Sequence, residues 1–570
     1  MPLHRSAPRA ARSRSPFTVG LLALALAALA AACATTAPPP PPAAAPARTV
    51  TILAVNDVYR VEGVDAGANG GIARLRTLRA ELEAEAPDLL VLHAGDFLFP
   101  SLLSSAYRGQ QMIDVLNLLD GDPDAFDSRL FVVFGNHEFD RAALADAAML
   151  DARIEESGFA WLGTNVEFAT GDDGRPLVAA ENLIPTALVE AGGATVGLFG
   201  ITTDVKHPAY VASFGDRVEV ARRAVRELRG RGAEVVVALT HQTVGEDRAM
   251  LEALGPDRPD LVVGGHEHEK TEEEVAGVPI LKADAEARTA SVIEIGLPAR
   301  GGGPPRVEHR FVALDSTVAP DAEVAARVEE WLARHDREFC AGAGEAPGCL
   351  EEELALARVD LVAEELEIRR FETNLGNWIA DRALAAYRDQ GAQLAFLNAG
   401  SLRLNQDVPG GTWVVRRHVE ELFPYPGELE LLSIDGATLQ RVLDHAVSDW
   451  TGVGWWLQVA GLAFRHDPAA GTASDLTLLG PDGPRPIHPD DRLLVVTGSY
   501  LVDPSGDQDG YTMLGPDQRV PGAPEADLKQ LVVDALRAAG EAGIAPEVEG
   551  RICNPARAGG CLAVGERSPP

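Results

Sequence analysis

The sequence predicts an α/β protein of two units, and three observations predict it. Short apolar runs alternate with helix-period stretches through most of the chain. Those runs are continuously apolar rather than alternating, as strands covered on both faces must be. The length of 570 residues exceeds what one ordinary core organises, so two domains plus processed or linker segments are the natural division.

The elements follow in chain order. Residues 1–32 read as an export signal. Arg5, Arg9, Arg12 and Arg14 form a basic start with no acid among them, and Val19 to Ala32 is almost wholly apolar. The run is short for a membrane-spanning helix and gives way at once to the stiff, extended Pro/Ala linker of residues 33–48. The ending Ala31-Ala32-Cys33 resembles a bacterial lipoprotein signal, which would make Cys33 the lipidated first residue of the mature chain. Ala30 stands where such signals usually carry Leu, and an ordinary signal peptide cleaved nearby is the alternative.

The first unit, residues 49–315, contains the runs VTILAVND, DLLVLHAGD, LFVVFGNHE, ATVGLFGIT, EVVVALTHQ and DLVVGGHEH. Each is rich in Val, Leu, Ile and Phe and ends abruptly in polar residues, so each reads as a buried strand. The stretches IARLRTLRAELEAEA and VARRAVRELRGRG between them read as helices. A boundary region opens with GGGPP near 301–305 and continues through a connector at 316–350, which contains the helix-period stretch AEVAARVEEWLARHDREF. Residues 351–545 form a second α/β unit, and 546–570 a Pro/Gly-rich tail.

Composition narrows the functions. Hydrophobic content of 46% and charged content of 24% are ordinary for a globular protein, whereas a net charge of −35 is not. Removal of residues 1–32 takes four arginines and no acids, which leaves the mature chain near −39. So acidic a surface argues against polymeric nucleic acid as a partner, because phosphate backbones are bound by basic faces. Solubility is the simplest use of that charge. A phosphorylated small molecule must then be drawn in locally, by metal ions or a few placed arginines. With Cys33 set aside, four cysteines remain. They allow three pairings, but Cys340–Cys349 and Cys553–Cys561 close short loops and suit an oxidising compartment.

The chemistry is concentrated where the strand-like runs stop. Asn56-Asp57 ends the first and Gly95-Asp96 the second. Gly135-Asn136-His137-Glu138 ends the third, Thr240-His241 and Gly265-His266-Glu267-His268 the last two. Singly these are turns, caps or surface pairs. Together they set carboxylate, amide and imidazole groups along one edge of one expected sheet. Oxygen and imidazole ligands without thiolates suit Mn, Fe, Zn or Co, and two such ions can clamp an in-line phosphoryl displacement.

The series ND, GD, GNHE, H and GHxH resembles the calcineurin-like metallophosphoesterases, and the FGNHEFD form resembles their 5′-nucleotidase branch. The resemblance implies an N-terminal four-layer β-sandwich flanked by helices and a C-terminal α/β substrate-binding domain. It implies two divalent metal ions, Asp57, Asp96 and His268 holding one with Asp96 bridging, and Asn136, His241 and His266 completing the other. His137 would be catalytic rather than a ligand. Asp140, three residues on, would orient its imidazole and favour the protonated form. Glu138 and Glu267 are expected in solvent or in support of the ligands. One position departs: the family commonly has Asp-x-His at the first motif, where this chain reads Asp57-Val58-Tyr59. Either the first ion keeps an extra water there, or Tyr59 binds as phenolate and favours ferric iron, or Tyr59 only packs nearby.

The second unit carries RRFETNLGN at 369–377, Asp381, NAGSLR at 398–403, Phe423-Pro424-Tyr425, LQVAG at 457–461, Tyr500 and Asp509-Gly510-Tyr511. By periodicity alone it is an ordinary α/β domain. The order resembles the 5′-nucleotidase C-terminal domain, and on that resemblance Arg369, Asn398 and Arg403 would meet phosphate or ribose. Tyr425 and Tyr500 would sandwich a base, and Asp509 would bind ribose hydroxyls. DPSGDQDG is not a calcium loop, since Leu514 stands where the bidentate Glu is required. With the two sites in different domains, the resemblance implies closure of one over the other around 316–350.

The expected activity is hydrolysis of nucleoside 5′-monophosphates outside the cytoplasm by a lipid-anchored enzyme. The same machinery would serve a 2′,3′-cyclic-nucleotide phosphodiesterase/3′-nucleotidase, a UDP-sugar hydrolase or a sulfur-compound esterase. A surface nucleotide-binding protein with a decayed centre is the alternative from another class. It predicts binding without turnover.

Overall fold

The computed structural model of the protein describes residues 48–298, 303–425, 427–450, 452–506, 508–557 and 560–561. Cys33 and the expected signal lie outside them. Strand β1 (Arg48–Val55) shows how the apolar runs are used. Val50, Ile52 and Ala54 enter one core while Leu53 and Val55 enter another. With side chains alternating between faces, a strand buried on both sides has to be apolar throughout.

β1 runs parallel to β2 (Leu90–His93), which is followed in parallel by β3 (Leu130–Val133), β4 (Ala160–Leu162) and β5 (Leu183–Ile184). The remaining runs form a separate sheet built around β6 (Thr186–Ala191), β7 (Ala194–Thr202), β8 (Val235–His241) and β9 (Leu261–Gly265). Beyond β9 come β10 (Thr271–Val275) and β11 (Val278–Lys282), in the order β10-β11-β9-β8-β7-β6. The single expected sheet is therefore two, packed face to face. Val50, Ile52, Leu90 and Val133 of the first meet Val196, Leu198, Val237 and Val263 of the second. Each such fully buried side chain contributes about 1.5–3 kcal/mol.

Helices cover both outer faces. α1 (Ile72–Glu85) turns Ile72, Leu75, Leu78 and Leu82 onto the first sheet. α2 (Arg217–Gly230) and α3 (Val244–Leu254) cover the second with Val220, Ala224, Met250 and Leu251. The result is the four-layer sandwich. Two antiparallel strands, β12 (Thr289–Leu297) and β13 (Arg306–Ala313), extend the first sheet beside β1. Arg306 pairs with Gly296, so the described strands before and after residues 299–302 belong to the same sheet. In the expected connector, Asp321 caps α4 (Ala322–Ala343), and Val324, Val328 and Trp331 join the core under the first sheet. A disulfide links Cys340 to Cys349 just after it.

A second sheet system occupies the C-terminal part. Its strands are β14 (Leu394–Asn398), β15 (Glu428–Asp435), β16 (Leu457–Ala460), β17 (Arg492–Gly498) and β18 (Ala526–Asp527), in the order β16-β14-β17-β15-β18. Alternate residues of β14 feed two cores, Ala395 and Leu397 under α5 (Asn374–Ala386), Leu394 and Phe396 under α6 (Gly436–Ala446). β14 and β17 are parallel, so Asn398 and Tyr500 emerge at the same sheet edge. The tail returns to this unit. Ile552–Cys553 pairs with Leu462–Asp467, Arg551 meets Asp381 through two 2.9 Å contacts, and Cys553 is bonded to Cys561. Among the described residues no helix is long and apolar enough to cross a membrane.

Candidate metal centre

Register delivers the motif residues to one place. Val55 lies opposite His93, and His93 opposite Val132, so Asp57, Asp96 and Asn136 follow three aligned strand ends. In the other sheet His241 lies opposite Gly265, just before His266. The site thus straddles the edges of two sheets. Asp57, Asp96, His266 and His268 all take left-handed backbone, with φ of 52°, 57°, 94° and 63°. Non-glycine residues held there store strain that the surrounding structure must outweigh, as functional sites commonly do. Gly135 is required by contact: a Cβ would lie 2.0 Å from Asp96 Oδ1.

The donor atoms crowd together. Asp57 Oδ1 is 3.3 Å from His268 Nε2, and Asp96 Oδ2 is 3.2 Å from His241 Nε2. Asn136 Oδ1 is 3.0 Å from His266 Nδ1. The Tyr59 hydroxyl lies among them, 2.8 Å from His268 Nε2, 3.2 Å from Asp96 Oδ2 and 3.4 Å from Asp57 Oδ1. The field is strongly negative. Burial opposes a proton on His241, yet Asp96 and Asp57 outweigh it and carry the imidazole up to about 9. Burial likewise opposes one on His268, but Glu365 and Asp57 raise it to about 10. His266 is pushed down to about 3, by burial and then by the charge of His241. Asp57 and Asp96 are held below the usual carboxylate range, because their histidine partners overcome burial.

Five side chains shape the site around these donor atoms. Glu138 is fully buried, and accepts from the backbone N–H groups of Asp96, Phe97, Leu98 and Gly135 at 2.6–3.0 Å. It ties the GD and GNHE loops together and is not in solvent. Lys282, also buried, donates to the carbonyls of Gln242 and Gly265 and to Glu267, and so braces the His241 and His266 loops. His137 Nδ1 and Asp140 Oδ2 are 2.9 Å apart on a short 3₁₀ turn, as expected for an oriented imidazole. Glu365, from the C-terminal part, is the residue the sequence did not single out. Its Oε2 is 2.5 Å from His268 Nδ1, while Oε1 is 2.5 Å from Arg369 Nη2 and 3.6 Å from Arg403 Nη1. In sequence it is one acid in the run EELEIRR, with nothing to mark it.

The expected substrate residues fall into two groups. Arg369 and Arg403 stand against the metal centre through Glu365, with Arg403 Nε also donating to Gly400 O at 2.7 Å. Burial and then the Asp140 charge push the half-buried Tyr425 phenol well up, which sets Tyr425 within the field of the His137–Asp140 pair. The other group centres on Asp509. Its Oδ2 accepts from Asn398 Nδ2 at 2.9 Å and its Oδ1 from the Tyr500 hydroxyl at 3.0 Å. Tyr500 is 41% exposed, an open ring at the rim. Asn398 thus positions Asp509 instead of pointing at the metal centre.

Residues 50–270 match the calcineurin-like phosphoesterase family, and residues 356–516 match the 5′-nucleotidase C-terminal domain. A snake venom 5′-nucleotidase from Gloydius brevicauda is 25% identical, with 88% of each chain covered. The chain belongs to the 5′-nucleotidase family of calcineurin-like phosphoesterases. The fold agrees: a 5′-nucleotidase precursor from Thermus thermophilus superposes with a TM-score of 0.71 at 25% identity, covering 88% of this chain and 99% of that one. The sulfate thiohydrolase SoxB from Thermus thermophilus shares the fold at a TM-score of 0.67 and 18% identity, over 91% and 98% of the two chains.

As a member of this family the chain is a metal-dependent phosphoester hydrolase, and its own atoms fit divalent ions. His241 Nε2 is buried with no hydrogen-bond partner among the described residues, facing the carboxylate of Asp96. With Nδ1 donating to Ala94 O at 2.6 Å, Nε2 of the neutral imidazole is the nitrogen that would be offered to an ion, in place of the proton the two carboxylates otherwise draw onto it. The oxygen and nitrogen donors around it, free of thiolate, suit borderline to hard cations.

Proposed function

We infer that this protein hydrolyses nucleoside 5′-monophosphates to nucleoside and phosphate outside the cytoplasm. Asp57, Asp96 and His268 would hold one divalent ion, and Asp96, Asn136, His241 and His266 a second, with Mn, Zn, Co or Fe as the fitting elements. Bound there, two such ions supply an activated water and stabilise charge on the phosphoryl oxygens. The chain's own groups do the rest. Arg369 and Arg403 receive the phosphate, since guanidinium forks match its oxygens. His137, oriented by Asp140, stabilises the leaving oxygen. Asp509, fixed by Asn398 and Tyr500, binds the ribose hydroxyls, and Tyr425 and Tyr500 flank the base. The export signal expected at 1–32 supports an extracytoplasmic place, with Cys33 as the lipid-bearing anchor.

The observation that carries this reading is the Glu365 bridge, which sets the two arginines of one unit directly against a metal-site histidine of the other. Phosphate release should be measured over nucleoside 5′-monophosphates, 2′,3′-cyclic nucleotides and UDP-sugars, each with Mn, Co, Zn, Fe and Ca. The expected result is the highest kcat/KM on 5′-monophosphates. Faster turnover of either other class would replace the substrate assignment, and nucleotide binding without turnover at any metal would leave only the decayed binding protein.

A further inference from the structure

The altered first motif leads to a metal ligand specific to this chain. We propose that Tyr59 is a protein ligand of the first ion through its phenolic oxygen, giving a site of three oxygens and one nitrogen that selects iron or manganese over zinc. The inference rests on the reading that Asp57, Asp96 and His268 hold an ion, and adds a fourth donor to it.

Geometry comes first. Tyr59 Oη, Asp57 Oδ1, Asp96 Oδ2 and His268 Nε2 are neighbours, and four of their separations are 2.8, 3.2, 3.3 and 3.4 Å. Atoms 2.8–3.4 Å apart are spaced as neighbouring donors of one ion are when each bond is about 2 Å, and the Asp57, Asp96 and His268 donors all lie within 4.8 Å of one another.

Hydrogen-bond arithmetic comes second. A phenol has one proton, and here three acceptor-capable atoms surround its oxygen. It can serve only one of the two carboxylate oxygens, so the other, Asp57 Oδ1 or Asp96 Oδ2, faces the phenol oxygen across 3.2–3.4 Å without that proton. A cation at the centre satisfies them all. As it binds, the phenol proton passes to solvent and the oxygen takes its place in the donor set.

Third, the loop that carries the ring is fixed and the ring is buried. Glu286 Oε2 accepts from the backbone N–H of both Tyr59 and Arg60, each at 3.0 Å, which fixes the loop. Tyr59 itself is 3% exposed. Across the cage, Glu365 holds His268 by Nδ1 and leaves Nε2 facing the hydroxyl. Replacing the family's imidazole by a phenolic oxygen hardens the site. Oxygen-rich sets favour manganese and ferric iron, whereas imidazole favours zinc.

The test uses the whole chain, stripped of metal and reloaded with Fe(III), Mn(II) or Zn(II), as wild type, Tyr59→Phe and Tyr59→His. Bound metal is counted by mass spectrometry, and the iron form is read by visible absorption. Wild type should carry two ions per chain and show a phenolate-to-iron charge-transfer band. Tyr59→Phe should lose the band and bind its first ion more than about tenfold more weakly, since losing even an outer partner typically costs about 10–100-fold. Tyr59→His should lose the band but recover two ions, now with zinc preferred. No band in iron-loaded wild type, or equal first-ion affinity in wild type and Tyr59→Phe, would overturn the assignment. Phosphate release from nucleotides is followed in parallel. Two ions and the band without release would remove the functional reading and leave the ligand standing.

Discussion

Glu365→Gln is the substitution whose outcome the structure specifies most closely. The carboxylate uses both oxygens, one at 2.5 Å from His268 Nδ1, the other beside Arg369 and Arg403. An amide has only one oxygen, so one side must lose its acceptor. Two guanidinium groups outcompete one imidazole for it, and the amide N–H₂ then faces His268. The imidazole must accept at Nδ1 and so carries its proton on Nε2, the atom turned toward Asp57. That tautomer cannot ligate an ion. Losing a partner of this kind weakens metal binding or activity about 10–100-fold, or about 1.5–3 kcal/mol for one charged hydrogen bond. The assay is a metal titration of the metal-free protein with activity followed in parallel. The midpoint for the first ion should move up by that factor. KM at saturating metal should stay near wild type, because the arginines keep their acceptor. An unchanged midpoint, or a raised KM alone, would show that Glu365 serves the arginines only.

Two further outcomes follow from other sites. His137→Ala should retain metal and nucleotide binding by calorimetry while kcat falls by about 10²–10⁴, the range for an acid–base group; Asp140→Asn should lower kcat less, and normal turnover in either would remove the pair from the mechanism. Glu62 is raised from 4.5 to about 7, by burial and then by the charge of Glu421. The folded chain therefore binds more protons than the unfolded one between those values, and stability falls as pH rises from about 4.5 to 7 and then levels. Glu62→Gln removes this loss, worth up to about 3 kcal/mol at 1.36 kcal/mol per unit. Its thermal midpoint should exceed wild type at pH 8 and converge with it near pH 4.5; equal midpoints at pH 8 would refute the burial argument.

The clustering of the expected ligand residues was largely legible in the chain itself. Asp57, Asp96, Asn136, His241, His266 and His268 stand where apolar runs stop, and a strand end is a place fixed by local pattern. Asp140 was legible for the same reason, since its three-residue spacing from His137 needs only one turn. Their grouping into one sheet was an overreach. Apolar runs look the same whichever sheet they join, and only the pairing of β1–β3 and of β7–β9 separates them.

Other features were decided by contacts that no local pattern encodes. Glu138 is one acid after a histidine until its carboxylate collects four backbone N–H groups from two loops. Lys282 closes a strand in sequence and braces two ligand loops in space. Glu365 lies 97 residues from His268. Tyr59 left three readings open, and the proposal among them is argued from the distances of its hydroxyl to Asp57, Asp96 and His268. Side-chain chemistry and its place at the end of a strand are local properties, and the sequence determined those. Which carboxylate neutralises which cation, and which oxygen closes a cage, depends on long-range packing, and only the tertiary structure decided them.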